Sequence, residues 1–340
     1  MNNGLIEIIG ISQAITWNSW AVQYFFFIGL SVGGICLAAP VYLLRKTNLL
    51  PVARSALLVA LTTGLVAPVA LLADLHQPAR FYQFYLNFTP TSWMSWGAFL
   101  LPAFLLSLLY FSWQGLYRGP RKGDSSIRLA AAGTLLLGAL IALYTGSEMG
   151  VLISRPLWQP EWLVALYLIS GFSGATGLTL VLHALLNRTD LKGRKMLSQS
   201  LTVSLLITGL LIGSWMVAGY LGASPSGAAL WRLTVEYQSM EVLALWLGAG
   251  LVVPLALSLP NIRPADIGIG LLALFGTWMV RWILFIGGQG IPKNGAGFYH
   301  FDLAWGSEGV LGIIGSIGLW LFMILLLRHL LVRHHKQANV

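Results

Sequence analysis

Cysteine occurs once in this sequence, at Cys36. That scarcity excludes a disulfide framework, and it excludes an iron–sulfur cluster held by this chain, which would need several thiolates. Histidine is nearly as sparse. Of the six, His76 and His300 fall in connections on one side and His329, His334 and His335 at the inner end of the last run and in the tail beyond it, so only His183 is left, near the inner end of its helix and without a facing mate. A membrane b-type haem needs a pair of axial histidines, so no haem is expected. Charge is the third shortage: 9 % of the 340 residues are charged and 57 % are hydrophobic, which rules out a soluble globular chain. The first apolar run lacks a basic n-region and a small-residue cleavage site and is too long for a signal-peptide core, so it is expected to remain as a helix.

What fills the sequence instead is a series of long apolar runs. Nine are legible, at Trp17–Leu44, Ala53–Ala73, Trp93–Gln114, Leu129–Ile153, Trp162–Leu186, Met196–Leu221, Val242–Leu259, Ile267–Gly288 and Gly309–Leu331. A bilayer-spanning helix takes about 20 such residues. The pattern predicts an all-α polytopic integral membrane protein of about nine transmembrane helices. Residues 1–16 would precede this body, residues 17–331 would form it, and residues 332–340 would be a tail. Lys and Arg gather in alternate connections, with Arg45 and Lys46, then Arg118, Arg121 and Lys122, then Arg188, Lys192, Arg194 and Lys195 on one side, together with Arg263 and the tail's Arg333 and Lys336. Basic residues are retained on the cytoplasmic side. The N-terminus is therefore expected in the periplasm and the C-terminus in the cytoplasm of a bacterial inner membrane. The net charge of +9 is explained by this topology, and nucleic acid is not an expected partner.

A faint repeat runs through the series. Gly29-Leu-Ser31 recurs as Gly171-Phe-Ser173 and Thr63-Gly-Leu65 as Thr208-Gly-Leu210. The near-equal offsets suggest two parallel four-helix bundles plus one C-terminal helix. Small residues in such helices let backbones approach closely. Acids mirror the bases, and Glu161, Glu241 and Glu308 each open a helix on the outer side, where a carboxylate complements the helix dipole.

Helix capping does not explain the remaining polar residues. Asn18 and Gln23 lie in the first turns of helix one; Asp74, His76 and Arg80 lie at the outer end of helix two. Tyr144 and Glu148, spaced i, i+4, share a face of helix four. Arg281 lies about two turns, or roughly 10 Å, below the outer end of helix eight. A charge at that depth costs several kcal/mol and takes a partner. By depth, Glu148 is the expected partner. These groups share one leaflet, as the oxidation of a membrane-soluble quinol requires. That reaction releases two protons and two electrons, so it needs hydrogen-bonding groups for the ring oxygens and a carboxylate or histidine for the protons. The aromatic residues Phe81, Tyr82, Phe84, Tyr85, Trp93 and Trp96 could cover a ring or form an interfacial belt.

Several segments resemble the NrfD/PsrC family of membrane subunits of bacterial molybdenum and multihaem reductases. They are Trp17-Asn-Ser-Trp-Ala-Val-Gln-Tyr-Phe-Phe-Phe-Ile-Gly29, Asp74-Leu-His-Gln-Pro-Ala-Arg-Phe81 with Ser92-Trp-Met-Ser-Trp-Gly97, and Tyr144-Thr-Gly146. The Tyr-Phe-Phe-Phe opening and the ninth helix most resemble the branch serving tetrathionate reductases. The resemblance implies quinol oxidation at a periplasmic-side site, with menaquinol or ubiquinol as substrate. In that site Tyr144 and Asn18 would hold the quinone, Gln23 would substitute for an absent family histidine, and Asp74, His76 or Glu148 would take protons. Arg281 would orient Glu148. It further implies a periplasmic iron–sulfur subunit and a molybdopterin catalytic subunit as partners. The alternatives are a secondary transporter, suggested by the repeat, or an anchor for another sulfur-oxyanion or polysulfide reductase.

Overall fold

A computed structural model describes residues 15–118, 124–237, 244–260, 263–291, 299 and 301–337. Arg121, Lys122, Glu241, Lys293 and His300 lie outside the described residues, as do the side chains of Glu161, Arg263, Arg333 and Lys336. The spanning helices are α1 (Ser19–Leu43), α2 (Leu50–Asp74), α3 (Trp93–Ser112), α4 (Ser125–Gly150), α5 (Pro160–Leu186) and α6 (Leu191–Tyr220). They are followed by α7 (Leu245–Ser258), α8 (Asp266–Trp282, continued by a π-type turn, Ile283–Gly287) and α9 (Val310–Gln337). Eight of these are long and apolar enough to cross a membrane. The seventh expected run is the exception: α7 is a shorter apolar helix, and Val242 and Leu243 lie outside the described residues. Helix α9 carries its helical turns into the segment expected to be a tail.

Helices α1–α4 pack together as one bundle and α5–α8 as a second, with α9 laid against α1 and α2. At about 1.5 Å per residue the 25 residues of α1 reach about 37 Å, enough for the hydrocarbon core. Burial is unequal. The most apolar stretch of α1 is 78 % buried and that of α9 only 11 %, so α1 is the axis of the molecule and α9 a lipid-facing strut. Most of the large exposed apolar side chains, such as Leu106, Leu136, Leu210 and Leu325, project from spanning helices, as a lipid solvent allows.

Glycine places α1 at the axis. A Cβ on Gly33 would stand 2.6 Å from the Gly171 carbonyl oxygen, and one on Gly34 would stand 2.9 Å from that of Ala56. The two bundles therefore meet backbone to backbone along α1 and α5. Gly29 and Gly171, which occupy matching places in the repeat, touch each other directly across this seam: a Cβ on Gly171 would lie 2.9 Å from the Gly29 carbonyl oxygen. Side-chain hydrogen bonds add to the packing within each bundle. Ser31 donates to the Ala60 carbonyl (2.8 Å), and Ser173 and Thr208 hydroxyls lie 3.4 Å apart.

Acids start the helices at the end carrying the basic connections. Asp124 caps α4 by accepting from the Ser126 amide (3.0 Å), and that bonding holds its carboxyl below the usual range. Asp190 caps α6 by accepting from the Gly193 amide (2.9 Å). Asp266, in the first turn of α8, takes a two-pronged bond from Arg194 at 2.5 and 2.8 Å, tying α6 to α8.

The seam predicts a contrast between two glycines. Gly33→Ala should destabilise the folded chain by about 1–3 kcal/mol, the usual cost of overpacking, because backbone rather than a flexible side chain stands in the way. Gly213→Ala, with nothing within 4 Å of its added carbon, should be neutral. Denaturation of the detergent-solubilised chain reads both. Equal effects of the two substitutions would refute the seam.

Candidate functional site

At the opposite end from the basic connections, α1 begins while α2 and α4 end. The first turn of any helix carries amides without helical partners. Asn18, at the N-cap of α1, makes no side-chain capping bond. Asp74, the last residue of α2, accepts a hydrogen bond from the Ala21 backbone amide in the first turn of α1. The carboxylate of one helix therefore caps another and is held at their junction.

Beside it, Tyr144 on α4 donates its hydroxyl to the Glu148 carboxylate one turn along. Both side chains interact electrostatically with the buried Tyr24 phenol on α1, and Glu148 does so with Asp74 as well. The fourth helix of the bundle supplies Gly97. The Tyr144 ring occupies the space that a Cβ on Gly97 would fill. All four helices of the first bundle thus contribute to one cluster of two carboxyl groups and two phenols. Tyr24 and Gly97 were not among the residues expected from sequence. The i, i+7 distance from Trp17 to Tyr24 was a usable signal for the first, but nothing in the sequence marked Gly97 among so many glycines.

His76 follows on the exposed connection after α2 and interacts electrostatically with Asp74. It lines a cleft of about 370 Å³ together with Gln77, Arg80, Phe81 and Phe84. Next to this cleft, rings interlock edge to face: Tyr85 with Phe99 at 5.5 Å, Phe99 with Phe88 at 5.6 Å, and Phe88 with Trp96 at 5.4 Å. These rings are largely exposed.

Gln23 and Arg281 are committed to contacts outside the cluster, and Asn18 reaches it only through Glu308, whose carboxylate interacts with Asp74. Asn18 donates to the Glu308 carboxylate at 3.1 Å. Gln23 is buried and committed on both sides: its amide donates to the Ser316 hydroxyl (2.6 Å), and its carbonyl accepts from the Trp278 indole (2.7 Å). It ties α1 to α9 and α8.

Arg281 does not pair with Glu148. Its guanidinium donates to the Ser170 hydroxyl (2.5 Å), the Tyr167 carbonyl (2.9 Å) and the Thr277 carbonyl (3.3 Å), and it stands 5.2 Å over the Tyr167 ring. Carbonyl dipoles and an aromatic face replace the carboxylate as its counter-charge. It sits at the seam between the bundles, in the space left by Gly29, beside a cavity of about 20 Å³ that reaches Thr145.

Two further polar residues went unrecognised in the sequence. Gln289 accepts from the amides of Thr16 and Trp17 (3.1 and 3.0 Å) and donates to the Trp17 carbonyl (2.8 Å). Arg155 donates to the carbonyls of Gln289 and Ile291 (2.8 and 3.0 Å), and burial pulls its guanidinium below its ordinary value. Together they fix the approach to α1, where Trp17 stacks on Trp158 with ring centres 5.3 Å apart.

The fold and the cluster define a polytopic helical membrane protein with an acid–phenol site at one end of its first bundle. The chain belongs to the NrfD family, whose model, described as "Polysulphide reductase, NrfD", matches residues 7–293. It is 34 % identical to a tetrathionate reductase subunit of Salmonella typhimurium, an alignment covering 97 % of each chain. It is 23 % identical to a selenate reductase subunit of Mesobacillus selenatarsenatis, over 98 % of this chain and 90 % of the relative. A putative dimethyl sulfoxide reductase membrane subunit of Halobacterium salinarum is 27 % identical over 87 % of this chain and 74 % of its own length.

The separation of Gln23 from the cluster has a measurable consequence. Gln23→Leu removes its bonds to α8 and α9 and should lower stability by about 1–2 kcal/mol, read as a fall in Tm of the solubilised chain. An unchanged Tm together with weakened quinone-analogue binding would return Gln23 to the site.

Proposed function

We propose that this chain is the membrane subunit of a respiratory reductase complex and oxidises quinol at the cluster of Tyr24, Asp74, Tyr144 and Glu148. The observation that carries the reading is the convergence of two carboxyl groups and two phenols from separate helices at one end of the first bundle. A quinol hydroxyl bonds to the Tyr144 or Tyr24 oxygen. As two electrons leave the ring, its two protons pass to carboxylates, Glu148 first and Asp74 with His76 towards the exposed cleft. The ring becomes quinone, and the electrons go to an iron–sulfur subunit docked on this end of the molecule. From there they reach a molybdopterin catalytic subunit. Similarity to the tetrathionate reductase relative over nearly the whole chain supports tetrathionate as the terminal oxidant, whose reduction lies outside this polypeptide. Asn18, through Glu308, shapes the rim of the site, and Arg281 holds the seam behind it.

Orientation follows from the charges. The site end faces the periplasm and the end with Lys46, Lys192 and Arg194 faces the cytoplasm of a bacterial inner membrane. A transporter would place its binding groups near the midplane on broken helices, whereas this cluster lies where α2 and α4 end.

The test is quinol-dependent turnover of the assembled complex beside turnover driven by a dye that reduces the iron–sulfur subunit directly. Tyr144→Phe and Glu148→Gln should each cut the quinol-driven rate about a hundredfold, the low end of general acid–base effects. Dye-driven turnover should be untouched. Wild-type quinol turnover in both variants would remove the cluster from the reaction.

A further inference from the structure

A groove of about 760 Å³ lies at the other end, where α1 of the first bundle meets α5 and α6 of the second. Its walls are apolar, with Cys36, Phe172 and Met196 among them, and its rim carries Lys46, Asn48 and Lys192. Both lysines are exposed, and among the described residues neither forms an ion pair. The loop that presents Lys46 is held in one shape. Helix α1 ends with the Lys46 amide donating to the Val41 carbonyl and the Arg45 amide to that of Tyr42, which places Arg45 at a φ of 54°. Glycine usually occupies that position, because other side chains are strained there.

An apolar trough in the membrane with two cations at its mouth matches one kind of molecule: acyl chains for the walls and an anionic phosphodiester for the lysines. Basic pockets between transmembrane helices on the cytoplasmic side bind such headgroups. We infer that this groove is a site for an anionic phospholipid, whose phosphate lies between Lys46 and Lys192 and whose chains fill the inter-bundle seam. The lipid touches both halves of the molecule and fastens them together where the glycine contact of α1 and α5 gives out. This proposal is independent of the quinol site, which lies at the opposite end.

The test uses the full chain in phosphatidylcholine nanodiscs, to which phosphatidylglycerol is added. A ligand that binds only the folded state raises Tm with its concentration. The wild-type chain should gain several degrees. K46Q/K192Q should bind phosphatidylglycerol roughly thirtyfold more weakly, as expected for two lysines near an anionic surface, and lose most of the gain. Cys36→Phe, which fills the trough without changing charge, should lose it too. K195Q/R328Q, with the same charge removed from elsewhere on that face, should keep it. An equal loss in both lysine-containing double variants would reduce the effect to general surface charge and overturn the site. A stabilisation by phosphatidylcholine equal to that by phosphatidylglycerol, or a quinone recovered from the groove by photo-crosslinking, would overturn it as well.

Discussion

Helices already in lipid gain nothing from hiding apolar surface from each other, so what joins them is close packing and hydrogen bonding. Here that requirement falls on the contact of α1 with α5 at Gly29, Gly33 and Gly171. Because the backbones touch, α1 can serve both bundles at once, and the elements around it take their positions from its surface. Its first turn receives Asp74, its next face presents Tyr24 to α4, and Gln23 reaches back to α8 and α9. Arg281 fits because Gly29 has no side chain. A bulkier residue in the seam would therefore disturb the acid–phenol cluster and the arginine's carbonyl cage together.

The polar groups divide into those that are consumed and those that remain available. Gln23 and Gln289 spend both ends of their amides on neighbouring helices or on the α1 approach. Such residues are glue, whatever their sequence neighbourhood suggests. Tyr144 and Glu148 differ because they bond to each other, while Asp74, held by the Ala21 amide, adds a second carboxyl group that interacts with Glu148. On the proposed function, two carboxyl groups near two phenols make a place where protons are exchanged.

Much of this was legible in the sequence, for identifiable reasons. Span number follows from runs that must reach about 30 Å, and α7 is the departure because its described helix is shorter than a crossing needs. The Tyr144–Glu148 pair was readable because helical spacing alone brings i and i+4 together. Arg281 was misassigned because a depth argument looks for an opposite charge, whereas its ligands are two backbone carbonyls, a serine hydroxyl and a ring face, which leave no mark at a distance in sequence. The contacts of Gln23 were not legible because its partner Ser316 lies on α9, and nothing in α1 records where the ninth helix docks. Gly97 became distinctive only once Tyr144 was seen against it.

The repeat shows how the two halves differ at the acid–phenol cluster. Ser31 and Thr63 in the first half correspond to Ser173 and Thr208 in the second; Ser31 bonds across to the Ala60 carbonyl and Ser173 lies against Thr208, while Thr63 is buried and bonds within its own helix. Carried through the same offsets, Tyr24 corresponds to Leu166, which is buried, and Asp74 to Gly219, whose backbone is pressed against Gly227. The second bundle keeps the scaffold of the first but fills the equivalent space with leucine and a glycine-to-glycine contact. A phenol and a carboxylate there would have been desolvated without partners, at several kcal/mol. Their presence in the first bundle alone is tolerated because α1, α2 and α4 bring the partners with them, and it is this shared arrangement on which the proposed quinol chemistry rests.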